Sequence, residues 1–103
     1  MSGDLTLDEV YSEDFTKVSV RGEIDIYNAC NFKEKLYDIV DKSKKDIIVD
    51  LGNLSYIDST GLGIFVGALK KAKLSGKNIR VENTKDNIKK LFTITGLDKL
   101  FMI

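Results

Sequence analysis

The run Asp46-Ile47-Ile48-Val49-Asp50-Leu51 sets the strongest limit on the fold. A short apolar run rich in β-branched residues reads as a central strand buried on both faces. The segments around it keep other periods. Residues 5–11 and 15–21 alternate apolar and polar as half-buried strands, with Ser12 to Asp14 as the turn between them. From Tyr27 to about Lys42, the residues Ala29, Phe32, Leu36, Ile39 and Val40 recur at helical spacing. A second helix opens at Asp58–Gly63 and runs to about Leu74, with Ile64, Phe65, Ala68, Leu69 and Ala72 as its inner stripe and Gly76 as its stop. Residues 78–82 read as another strand. Thr84 is placed to cap a third helix reaching Thr95, with Ile88, Leu91 and Phe92 inward and Gly96 ending it, and the tail from Leu97 to Ile103 is expected to add an edge strand. Strands alternating with helices in a chain without proline predict an α/β domain built on one mixed sheet. With 103 residues, the chain fits a single domain, 1–103.

This order carries a topological consequence. If helix 27–42 joins strand 15–21 to strand 46–51 by a right-handed crossover, the two strands are parallel and their carboxyl ends share one edge of the sheet. The loop Gly22-Glu23-Ile24-Asp25 and the segment Asp58 to Gly61 then become neighbours. The loop Glu82 to Asp86 joins them if its strand is also parallel. Binding in open α/β sheets concentrates on that edge, so one functional rim is expected there.

Composition narrows the chemistry. Sixteen basic residues balance sixteen acidic ones, which leaves no electrostatic case for nucleic acid. Acids outnumber bases in residues 1–25 and bases outnumber acids in residues 61–103, a polarity suited to docking a protein and equally to a solvated surface. The chain has no histidine, so no Ser-His-Asp or Cys-His nucleophile system is available. Cys30, the single cysteine, supplies neither an internal disulfide nor a zinc ligand set and reads as a packing residue beside the first helical stripe. Neither a signal peptide nor a membrane span is evident, and a cytoplasmic, monomeric protein without metal or cofactor is the expectation.

The segment Asp58-Ser59-Thr60-Gly61-Leu62-Gly63 is the candidate site. A serine at a helix start can cap it, and its hydroxyl sits where backbone N–H groups converge and an anion is welcome. Asp58 either orients the acceptor hydroxyl and meets a basic group on a partner, or caps the helix itself. Thr60 offers a second hydroxyl. Gly61 is assigned to the close approach of a partner's backbone, and Gly67 to packing the helix against the sheet. Leu62 and Val66 fall off the inner stripe in line with Lys70, as a docking patch or as isolated exposed hydrophobes. Glu23 and Asp25 are either solvated turn acids or contacts for a basic partner. Two other classes compete. A receiver-like domain would take phosphate on Asp50, but the acidic pair expected near the first strand is missing. A serine hydrolase would need a lysine base, and no S-x-x-K lies at Ser59.

The pair G-E-I-D at Gly22 to Asp25 and D-S-T-G-L-G at Asp58 to Gly63, in this order and separation, resembles the anti-sigma factor antagonists of the STAS domain family, most of all the general-stress type. The likeness spans essentially the whole chain, including Phe92-Thr93-Ile94-Thr95-Gly96-Leu97. It implies a mixed sheet of about five strands packed with helices. It also implies a partner switch without catalytic activity; the milder alternative is a STAS scaffold or adaptor that is never phosphorylated, against which the acceptor serine is present and unaltered. The serine matching Ser59 is phosphorylated by an anti-sigma factor that is itself a serine/threonine kinase. The unmodified antagonist binds that kinase and frees a sigma factor, the phosphorylated form lets go, and a metal-dependent serine phosphatase restores it. Family matching places the phosphate on Ser59 rather than Thr60 and supports a kinase contact at Asp25; the residues themselves add Glu23, Asp58, Thr60, Gly61, Leu62 and Val66 as partner-binding candidates.

Overall fold

The computed structural model describes residues 5–103; the first four residues of the expected domain lie outside the described residues. Strand β1 (Leu5–Tyr11) turns through Ser12, whose hydroxyl and amide both donate to the Phe15 carbonyl at 3.0 Å, into β2 (Phe15–Ile24). Helix α1 (Ala29–Lys42) crosses over to β3 (Asp46–Ile57). Helix α2 (Ser59–Leu74), strand β4 (Ile79–Glu82) and helix α3 (Asp86–Ile94) complete the order. The sheet runs β1-β2-β3-β4, with β1 antiparallel to β2 and the other neighbours parallel. The crossover inferred from the sequence is therefore present.

Register explains which residues form the core. Val49 lies opposite both Val18 and Val81, so these side chains share one face of the sheet. That face carries Val18, Val20, Val49, Leu51, Ile79 and Val81, all buried in one cluster with the apolar stripes of the three helices. Phe65 of α2 sits at its centre, with ring centroids 5.4 Å from Phe32, 5.9 Å from Phe92 and 6.0 Å from Phe101. Tilted and edge-to-face rings at these spacings are the favoured aromatic arrangement.

The opposite face of the sheet is polar, which corrects the expectation of a strand buried on both sides. Among the described residues Ile48 alone is buried there, flanked along β3 by exposed Asp46 and half-buried Asp50. Lys17 bridges Asp50 at 3.6 Å and Glu82 at 3.2 Å across that face.

Other boundaries moved for identifiable reasons. The sheet has four strands, and the tail expected as a fifth winds through turns; its Phe101 is fully buried and its carbonyl accepts from Val81 N at 3.0 Å. One backbone bond to the rim of β4 thus replaces a ladder. Strand β3 continues past Leu51 to Ile57, and irregularities between Ser19 and Arg21 and between Gly22 and Glu23 keep β2 in register with it. Helix α3 begins at Asp86 with Lys85 in the cap position and no side-chain cap bond, so Thr84 does not start it. Cys30 is exposed on the outer side of α1 rather than packed.

Candidate functional site

Parallel pairing brings the carboxyl ends of β2 and β3 side by side, with Glu23 opposite Tyr56 and Ile24 opposite Ile57. Asp58 then leaves the sheet in an extended conformation, and its Oδ1 accepts from Gly61 N at 3.1 Å. The capping reading is realised: Asp58 is the N-cap, and Ser59 is the first residue of α2. Relieved of the capping role, Ser59 is exposed at the rim, as is Thr60 beside it.

Gly61 and Leu62 face the other way. A Cβ on Gly61 would stand 2.7 Å from Ile57 Cγ1 and 2.8 Å from Ile24 Cγ2, so this glycine lets α2 seat on the two strand ends. Leu62 is only 5% exposed and belongs to the core cluster, which corrects its placement on an outward patch. The buried stripe of α2 is wide, from Gly61 and Leu62 to Ala72, because the helix packs against α1 as well as the sheet. Val66 is half-buried. Gly67 meets α1: a Cβ there would collide with the Tyr37 hydroxyl.

The loop after β2 is tightly bonded. Asp25 Oδ1 accepts from Tyr27 N at 2.9 Å and Asn28 N at 3.1 Å, while Asn28 Oδ1 accepts from Asp25 N at 2.9 Å. Asn28 Nδ2 also donates to the Glu23 carbonyl at 2.8 Å. Asp25 and Glu23 are both half-buried. The reciprocal turn pushes Ile26 and Tyr27 outward, at 69% and 85% exposure. The sequence reading missed both, although two apolar residues just ahead of the first helical stripe at Ala29 were a visible signal.

The third expected member of the rim is offset. Strand β4 stops opposite Asp50, whereas β3 runs on to Ile57, roughly 20 Å of further strand at 3.3 Å per residue. The 82–86 loop instead joins β3 near its middle, where Asn83 Nδ2 donates to Asp50 Oδ2 at 3.1 Å, and Asn87 Nδ2 reaches the Ser55 carbonyl at 3.4 Å. Asp50 is fully engaged, since its Oδ1 also accepts from Gly52 N at 2.8 Å. Burial opposes its ionisation, yet the Gly52 amide, Asn83 and Lys17 outweigh burial and hold the carboxyl below its ordinary value. Its carboxylate is tied into the sheet by these partners.

The two chain segments that form the rim carry acids without bases. No Lys or Arg occurs from Gly22 to Phe32 or from Asp46 to Leu69, while Glu23, Asp25 and Asp58 lie in those spans. Among the described residues, no cluster of three or more His, Cys, Asp and Glu is arranged to hold a metal ion, and no helix is long and apolar enough to cross a membrane.

Four strands in this order, three helices on one face and a serine at the start of α2 define a STAS-type domain, and the STAS domain family profile matches residues 8–103. The chain belongs to that family. It is 38% identical over 99 residues to the anti-sigma-B factor antagonist of Staphylococcus epidermidis, covering 96% of this chain and 92% of that protein. The identity to the same-named protein of Staphylococcus aureus is also 38%, with the same coverage. Among solved structures, the unphosphorylated anti-sigma factor antagonist SpoIIAA superposes with a TM-score of 0.78 at 19% identity, over 94% of this chain and 84% of that one. An anti-sigma factor antagonist from Mycobacterium paratuberculosis gives 0.81 at 26% identity, over 95% and 83%.

Proposed function

We propose that this chain is an anti-sigma factor antagonist that works as a partner switch. In its unmodified form it binds an anti-sigma factor with serine/threonine kinase activity and so frees a sigma factor. Phosphorylation of Ser59 by that kinase ends the binding, and a metal-dependent serine phosphatase reverses the modification. The chain acts in the cytoplasm as a monomer and catalyses nothing itself. Two lines support the reading: the curated relatives carry the antagonist name, and Ser59 is exposed on the rim without a capping duty. The second observation carries the proposal.

The physics of the site explains why a phosphate there blocks docking rather than unfolding the domain. It adds about −1.5 to −2 charge at neutral pH. At the first residue of a helix that charge is favoured by up to ~2 kcal/mol. Asp58 beside it opposes part of this gain, and the segment from Asp46 to Leu69 that carries Ser59 contains no Lys or Arg. Against a partner's surface, an unpaired charge taken out of water costs several kcal/mol. A hundredfold loss of affinity needs only about 2.8 kcal/mol, so the interface effect wins. Glu23, Asp58, Thr60 and the accessible part of Val66 flank Ser59 as contact candidates; Gly61 and Leu62 act from beneath, by holding α2 in place.

The test is incubation of the chain with its organism's anti-sigma factor kinase and ATP, followed by mass mapping and titration of binding. One phosphate is expected on Ser59, with Ser59→Ala binding the kinase but accepting no phosphate and Ser59→Asp binding more weakly. Equal kinase affinity of modified and unmodified chain would overturn the switch.

A further inference from the structure

We propose that Ile26 and Tyr27 form an apolar anchor that inserts into a pocket of the kinase rimmed by Lys or Arg, next to the Ser59 contact; this rests on the partner-switch reading. The loop has no role in the core that would explain two large apolar residues. Tyr27 is 85% exposed and Ile26 69% exposed, whereas the helical stripe of α1 begins only at Ala29. Tyr56, 48% exposed, lies on the same rim, opposite Glu23 across the β2–β3 pairing. Single exposed apolar residues are ordinary, but two adjacent large ones on the loop that leaves β2, whose end pairs with the β3 end leading into Ser59, stand out from that background.

The loop is also preorganised. Asp25 and Asn28 hold four bonds between them: Tyr27 N and Asn28 N to Asp25 Oδ1, Asp25 N to Asn28 Oδ1, and Asn28 Nδ2 to Glu23 O. These fix the backbone on both sides of the anchor, so docking orders little more than two side chains. Tyrosine is among the residue types that dominate interface energetics when a partner encloses them.

Charge selects the occupant. From Gly22 to Phe32 and from Asp46 to Leu69 the chain holds acids but no Lys or Arg. A second copy of this rim would bring like charges together, which disfavours self-association through it. A basic-rimmed apolar pocket complements both the acidic composition of these segments and the anchor. The same geometry makes Asp25 a positioning residue, because its carboxylate is bonded to the turn.

The experiment titrates the purified kinase from the chain's own organism against wild type, Ile26→Ala, Tyr27→Ala and Leu74→Ala by calorimetry, with melting curves for each. Leu74 is 90% exposed at the far end of α2 and serves as the control. Ile26→Ala and Tyr27→Ala are each expected to weaken binding about tenfold or more with unchanged melting, while Leu74→Ala binds as wild type. Wild-type affinity in Ile26→Ala and Tyr27→Ala, with wild type binding normally, overturns the anchor alone. A wild-type chain that does not bind the kinase overturns the switch, and the anchor with it.

Discussion

Both turn bonds made by the Asp25 side chain end on one oxygen, 2.9 Å from Tyr27 N and 3.1 Å from Asn28 N. Asparagine presents that oxygen without the charge, whereas alanine removes both. Asp25→Asn is therefore expected to keep kinase affinity within a factor of about three, and Asp25→Ala to lose about tenfold as the anchor loosens. Calorimetric titration of the two variants decides it: equal losses would mean that the carboxylate charge meets the partner directly. From the sequence, Asp25 was legible as an acid near Ser59, which left turn and contact both open. The signal that separates them is Asn28, three residues on, because the bonds that matter run from side chain to backbone and leave no mark in hydropathy. Ser59 itself was legible as a residue at a helix start, but its neighbour holds the cap.

The two glycines of α2 that touch packed neighbours predict different costs. A methyl at Gly61 meets Ile57 and Ile24 at under 3 Å, and both are fully buried with no room to retreat. Gly61→Ala is expected to destabilise the fold by about 1–3 kcal/mol through overpacking. At Gly67 the obstacle is the hydroxyl at the tip of Tyr37, a half-buried side chain that can swing aside. There the helix gains about 1 kcal/mol from replacing glycine, so Gly67→Ala is expected to stay within ~1 kcal/mol of wild type. Urea denaturation measures both, and similar losses would contradict the packing described. Sequence periodicity located α2 and its end at Leu74 well, because the stripe and the stop at Gly76 agree. It misplaced Leu62, since a helix wedged between a sheet and another helix buries a wider arc than one inner stripe records. It also shortened β3, whose polar extension past Leu51 pairs through a bulged neighbour and follows no simple alternation.

Across the whole molecule, stability and recognition occupy different places. The Lys17–Asp50–Glu82 network spans the polar face of the sheet, where the hydrogen bond that the Lys17 ammonium donates to Glu82 holds it above the ordinary value. Asp50, held below its ordinary value, contributes stability that is complete above the unfolded carboxylate pKa of about 4 and is lost as pH falls through the lower folded one. Asp50→Asn retains the acceptor for Gly52 N and removes the titration. Its stability is therefore expected to fall less steeply than wild type between about pH 5 and 3. Thermal melts across that range check this, and parallel slopes would refute it. The parallel core of the sheet was legible because a helix between two strands admits one handedness. The fifth strand was not there to be found: a buried Phe101 and one backbone bond close the β4 side without a ladder. The loop bearing Ile26 and Tyr27 has a separate consequence. Its backbone is satisfied by Asp25 and Asn28, so the fold asks of the two residues between them little beyond a backbone N–H at 27. A cell running several such switches in parallel can keep their signals from crossing by rewriting two letters, with no change to the architecture that presents them.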